Sequence, residues 1–180
     1  MSNRILAVCL DCGDTLIDEA TEFRQNRDDE VALRAELIPG AAELVKQLKQ
    51  RGYRLALIAD GPVGTFANCL GNHGLYDLFD CHTISENLGV EKPHPSMFQH
   101  ALDNLGIASQ DYGKVVMVGN YLERDIYGAN SFGMISVWLD WSPRRPKVPA
   151  HPGEQPRFTI KMPLELLNVL DQLEQEMVDA

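Results

Sequence analysis

Apolar positions in this chain fall into two kinds of run that take turns. Ile5–Leu10 is apolar without a break, the pattern of a strand buried on both faces, as in a parallel sheet. It ends at Asp11, and Cys12, Gly13, Asp14 and Thr15 make a polar turn before Leu16 and Ile17. Pro39-Gly40 opens a helix in which Ala41, Leu44, Val45 and Leu48 share one face and Gly52 supplies the stop. Tyr53–Ala59 reads as a second strand, ending at Asp60-Gly61-Pro62, and Val63, Phe66, Ala67 and Leu70 give a second helix closed by Gly71 and Gly74. Cys81–Ser85 is a short third strand, and the loop Glu86–Pro95 leads to a helix marked by Phe98, Ala101, Leu102 and Leu105. Lys114–Val118 is a fourth strand, followed by Gly119-Asn120 and a helix on Leu122, Ile126 and Ala129. Ile135–Leu139 and the shorter Phe158–Ile160 complete the strands, and Pro163 suits the first position of a last helix that buries Leu166, Leu170, Leu173 and Met177.

Strands alternating with helices of this length mean βαβ units, a parallel sheet and right-handed crossovers that place helices on both faces. The expected fold class is therefore α/β, a doubly wound parallel sheet, and 180 residues make one domain over 1–180. The exception is 17–39, inserted after the first strand. Charged side chains crowd residues 18–38, while Val31, Ala35 and Ile38 keep helical spacing. This predicts a small helical lid, mobile because it has few core anchors.

Composition narrows the function without choosing it. Apolar residues at 44% and charged residues at 23% are ordinary for a globular protein. A net charge of −10 argues against nucleic acid or an anionic membrane as partner. The one basic cluster, Arg144, Arg145 and Lys147, is interrupted by Pro143, Pro146 and Pro149 and reads as a solvated loop. There is no apolar run long enough to span a bilayer, and Ile5–Leu10 is too short for the core of a leader peptide. Four cysteines, including the pair Cys9 and Cys12, form neither a disulfide framework nor a zinc spacing and read as buried or turn thiols. A cytoplasmic location is the expectation.

The chemistry lies at the strand ends. In a parallel sheet all carboxyl ends share one rim, where such folds bind ligands. Asp11 with Thr15, Asp60, Lys92, and Asn120 with Asp125 all fall there. Two carboxylates suit Mg²⁺, which takes oxygen ligands; turn N–H groups can cradle an anion; a lysine can neutralise charge that moves during reaction. Singly, each has a structural reading: Asp11 and Asn120 as turn residues, Lys92 as a surface lysine, Asp125 as a helix-terminal charge.

With these motifs in view, the sequence resembles the haloacid dehalogenase-like (HAD) superfamily, whose members are mostly Mg²⁺-dependent phosphatases. Asp11-Cys12-Gly13-Asp14-Thr15-Leu16 matches the first motif, Ala59 stands at the second, Lys92 at the third, and Gly119-Asn120 with Asp125 at the fourth. The resemblance implies a Rossmann-like core and a phosphatase acting through an aspartyl-phosphate at Asp11. Its implied catalytic residues are Asp11, Lys92 and Thr15. Cys12, Gly13, Asp60, Gly61 and Lys92 would bind the substrate, and Asp11, the Gly13 carbonyl, Asp125 and Asn120 would hold Mg²⁺. The chain departs from the family pattern in three places. Gly13 replaces a carboxylic general acid and base, a class of loss that costs ~10²–10⁴ in rate; Ala59 lacks a hydroxyl donor to the phosphoryl group; Asn120 replaces a metal-ligating carboxylate. Two functional classes therefore stand: a phosphohydrolase, and a catalytically impaired relative that binds a phosphate ligand, metal or protein without turnover. Without an acid at Gly13, an enzyme should favour weakly basic leaving groups, and Gly13→Asp should relax that preference; His94 is a candidate substitute acid. A short lid leaves the site open, as in relatives that act on large phosphorylated substrates or use a second copy as cover, which is consistent with a homodimer.

Overall fold

The computed structural model describes residues 3–179; residues 1, 2 and 180 of the expected unit lie outside the described residues. A parallel sheet is built from β1 (Ala7–Leu10), β2 (Arg54–Ala59), β3 (Cys81–Ile84), β4 (Val115–Gly119), β5 (Ile135–Leu139) and β6 (Phe158–Ile160). Their order is β3-β2-β1-β4-β5-β6. β1 is thus central, pairing Leu10 with Leu57 of β2 on one side and with Val118 of β4 on the other. The strand order reverses across β1, which opens a crevice at its carboxyl end.

The helices are α1 (Ala41–Gln50), α2 (Val63–Gly71), the single turn α3 (Ser85–Leu88), α4 (Pro95–Asn104), α5 (Tyr127–Ser131) and α6 (Leu166–Asp179). Alternation along each strand sends side chains to two separate cores. Val8, Leu10, Leu55, Leu57, Val116 and Val118 meet α1, α2 and α6 on one face. Ala7, Cys9, Ala56, Ile58, Val115 and Met117 meet Met97, Phe98 and Leu102 of α4 on the other. That double burial is why the strands read as unbroken apolar runs. All four cysteines are free and buried.

Three expectations change. The segment after β1 contains no helix at Val31–Ile38. It is an extended excursion, bridged antiparallel at Ile17–Leu37 and Phe23–Arg34, with one 3₁₀ turn at Glu19–Thr21. Its anchors are also more numerous than its charge suggests: Ala32, Ala35 and Ile38 are buried. The Ala32 N–H donates to Thr65 Oγ1, while Asn68 and Asn72 donate to the Ala32 and Leu33 carbonyls and the His73 ring to the Ala35 carbonyl. The fourth predicted helix begins as a π-helical turn, Leu122–Ile126, before α5. Finally, the proline-rich loop after β5 is not a solvated basic tract. Arg144 pairs with Asp14 and Asp18, Arg145 with Glu19, and Lys147 with Asp140. The loop is thereby tied to both the β1 turn and the excursion that follows it.

Candidate active site

The β1 turn sets the geometry. The Cys12 carbonyl accepts from the N–H groups of Thr15, Leu16 and Ile17, and Asp14 takes the left-handed conformation with φ 52°. This tight turn leaves Asp11 facing the crevice and turns Asp14 away from it. Asp14 is wholly buried, held by the Ser142 hydroxyl at 2.8 Å and by the Arg144 guanidinium. The Cys12 side chain points into the core rather than the pocket, where burial pushes its thiol well above the ordinary range, so the thiol is not a nucleophile here.

Lys92 closes the arrangement from below. It is 4% exposed, between Asp11 at 8% and Asp125 at 1%. Its ammonium donates to Asp11 Oδ1 and Asp125 Oδ1, each at 2.7 Å, and to the Ile58 carbonyl at 2.8 Å. Burial opposes this charge, but Asp11, Asp125 and Asp60 outweigh it and hold the Lys92 pKa above its ordinary value. Burial drives the Asp125 carboxyl upward, and Lys92 only partly pulls it back. Asp125 Oδ2 accepts from the Tyr121 N–H at 2.9 Å. Gly119 is required beside it, because a Cβ at that position would overlap the Asp125 side chain.

Asp11 Oδ2 accepts from Thr15 Oγ1 at 3.1 Å and Asn120 Nδ2 at 3.0 Å. Asn120 Nδ2 also donates to the Gly13 carbonyl, so the Asp11 and Gly13 oxygens converge on one point. Its Oδ1 accepts from Arg145 Nε at 3.1 Å. Asp60 and Gly61 line the cavity above this centre, but Asp60 makes no hydrogen bond to the Lys92 ammonium. Its oxygens accept from the Lys92 N–H at 2.9 Å and from Arg124 at 3.2 Å, so it positions the lysine loop and an arginine. The Gly61 N–H is spent on Ser85 Oγ at 2.8 Å. Ala59 is buried and puts no hydroxyl here. Above the centre lies a cavity of about 460 Å³, whose wall includes Arg24, Arg124, Arg145, Glu19 and Phe66. His94 is not on that wall; its ring accepts from the Ser96 N–H and caps α4.

Comparison with known proteins gives the family. The family model for haloacid dehalogenase-like hydrolases matches residues 14–133. The chain belongs to the haloacid dehalogenase-like hydrolase family. Among curated HAD relatives, the glyceraldehyde 3-phosphate phosphatase of Methanopyrus kandleri is 33% identical over 135 residues, covering 75% of this chain and 57% of that protein. The pyrimidine 5'-nucleotidase YjjG of Escherichia coli is 33% identical over 138 residues, 77% of this chain and 55% of its own. The chain spans about half the length of such relatives. A HAD phosphatase structure from Thermococcus onnurineus superposes with a TM-score of 0.72 at 21% identity, covering 92% of this chain and 97% of that one. This likeness supports the doubly wound fold.

Two residues of the cavity wall escaped the sequence reading: Glu19 and Arg145. Arg145 donates to Glu19 Oε2 at 2.6 Å, and both line the cavity beside Asp11. Burial raises the Glu19 carboxyl from its ordinary value, with Arg145 opposing. Neither lies in a periodic segment, and only the fold brings them together.

Proposed function

We propose that this chain is a phosphohydrolase acting on phosphate monoesters, with Asp11 as nucleophile. The reading is carried by one observation: a buried carboxylate at the switch point of the sheet, oriented by Lys92 on one oxygen and by Thr15 and Asn120 on the other. Held this way, Asp11 can attack phosphorus and displace the ester oxygen, giving an aspartyl-phosphate that water then hydrolyses. Lys92 neutralises charge on the carboxylate and on the incoming phosphoryl oxygens. Arg24, Arg124 and Arg145 at the cavity wall are each paired with a carboxylate of the same wall, so Lys92 and a bound cation would carry most of the phosphoryl charge. The named activities of the curated relatives, on glyceraldehyde 3-phosphate and nucleotides, support phosphorylated substrates as the class. The excursion over 17–39 would act as the lid and select among them.

The donor set fits a hard cation such as Mg²⁺. The Asp11 and Gly13 oxygens converge, and two buried carboxylates, Asp11 and Asp125, face one ammonium, leaving net negative charge. Asp11, Gly13 through its carbonyl, and Asp125 would hold the ion, with Asn120 turning its amide oxygen inward or serving behind them. When bound, Mg²⁺ would offset phosphoryl charge and keep two anions together.

The test is phosphate release from a panel of monoesters with Mg²⁺ or with a chelator present. Metal-dependent release that falls by at least about a hundredfold in Asp11→Asn is expected. Release unchanged in that variant would remove Asp11 as nucleophile. A wild type inert to the whole panel while binding phosphate would favour the impaired relative.

A further inference from the structure

Position 13 has no side chain, yet the space beside it is filled. A Cβ built on Gly13 would collide with the Glu19 carboxylate, lying 2.7 Å from its Cδ and 2.9 Å from its Cγ. Among the described residues, Gly13 is absent from the positive-φ glycines, so its backbone does not demand glycine. The occupant does. Glu19 arrives from the 3₁₀ turn at the start of the excursion, where the Glu19 N–H donates to Asp14 Oδ1 at 3.2 Å. Arg145 fixes its Oε2 from the opposite side, and Oε1 is left against Gly13 at the cavity wall.

Hydrolysis through an aspartyl-phosphate needs a proton delivered to the departing oxygen and later removed from water. Asp125 is shared by Lys92 and the Tyr121 N–H, and Asp60 by the Lys92 N–H and Arg124. Glu22 and Glu19 are each paired with one arginine, but it is Glu19 whose second oxygen lies against Gly13. We infer that Glu19 is a catalytic residue of this protein, its carboxyl supplied by the lid to the space beside Gly13, where it serves as acid and then base. This rests on the phosphohydrolase reading. In the first step an Asp11 oxygen bonds to phosphorus, the phosphorus–ester bond breaks, and the ester oxygen takes the proton of the Glu19 carboxylic acid. In the second, the Glu19 carboxylate takes a proton from water, the water oxygen bonds to phosphorus, and the phosphorus–Asp11 bond breaks. Inorganic phosphate leaves, and both carboxyl groups are restored.

A side chain on position 13 would compete with the Glu19 carboxylate for the same space, which defines the experiment. Wild type, Glu19→Gln, Glu19→Ala, Gly13→Asp and the double variant Gly13→Asp/Glu19→Ala are assayed with a series of substituted phenyl phosphates. Glu19→Gln should lose about 10²–10⁴ in turnover, with the loss growing as the leaving group becomes more basic. With p-nitrophenyl phosphate it should show a burst of one nitrophenolate per protein and accumulate phosphorylated Asp11. Gly13→Asp should push the flexible Glu19 carboxylate aside, and the double variant should regain activity over Glu19→Ala. Glu19 is half-exposed, so its variants should fold, and far-ultraviolet circular dichroism checks this. Glu19→Gln turning over as fast as wild type, with no burst and the same leaving-group dependence, would overturn the inference while leaving the phosphohydrolase reading intact. Faster turnover in Glu19→Ala would also overturn it, making Glu19 an obstruction. A wild type without Asp11-dependent turnover would overturn both.

Discussion

Replacing Lys92 by methionine tests the buried centre as a question of stability rather than rate. Methionine keeps most of the volume and removes the charge. Asp11 and Asp125 would then face each other with no cation between them, and the Ile58 carbonyl would lose its donor. Removing one partner of a buried ion pair costs about 3–5 kcal/mol, most of it from the charge left behind. For a chain of this size that corresponds to a fall in melting temperature of roughly 6–20 °C. The deficit should depend on pH in a definite direction. Burial already raises the Asp125 carboxyl, and loss of Lys92, which lowers it, raises it further. The folded variant then binds more protons than its unfolded chain, so its stability falls as pH rises above the unfolded carboxylate range. Urea titrations with a chelator present, at pH 5 and pH 8, should show the larger deficit at pH 8. Adding Asp125→Asn should recover part of the loss, giving a non-additive cycle. A deficit below about 1 kcal/mol at pH 8, or simple additivity with Asp125→Asn, would refute the view that one ammonium neutralises two buried carboxylates.

Gly119→Ala should force Asp125 from its place, costing about 1–3 kcal/mol and weakening Mg²⁺ binding in calorimetric titration. Arg144→Ala should leave the buried Asp14 with the Ser142 hydroxyl, the Glu19 N–H and the more distant Arg145, at 3.8 Å. Because Arg144 is partly exposed, the expected loss is smaller, about 1–2 kcal/mol by urea unfolding, with faster proteolysis in the loop after β5.

The fold was legible because its two periodicities are strong. Strands buried on both faces leave unbroken apolar runs, and helices packed on one face leave stripes. Asp11, Lys92 and Asp125 were legible because each sits at a strand end or in the loop after it, and a parallel sheet brings those ends together. The excursion was misread because Val31, Ala35 and Ile38 mimic a helical stripe, whereas Ala32, Ala35 and Ile38 are the residues buried. Extended backbone is satisfied there by Thr65, Asn68, Asn72 and His73, partners more than thirty residues away that no local pattern announces. Arg145 and Glu19 were hidden for the same reason. Both lie in irregular, charged segments, and their pairing spans 126 positions.

The central place of β1 has a consequence for how the protein is made. β1 leaves the ribosome before the two strands it pairs with and must wait for β2 and then β4. Asp11 cannot be sealed from water until β4 docks, since its N–H donates to the Val118 carbonyl. Lys92 lies between β3 and β4 along the chain and is therefore synthesised before that closure. The ammonium is already present when its carboxylate leaves solvent, so no nascent stage has to bury Asp11 as an unpaired charge, the most costly of the possible orders.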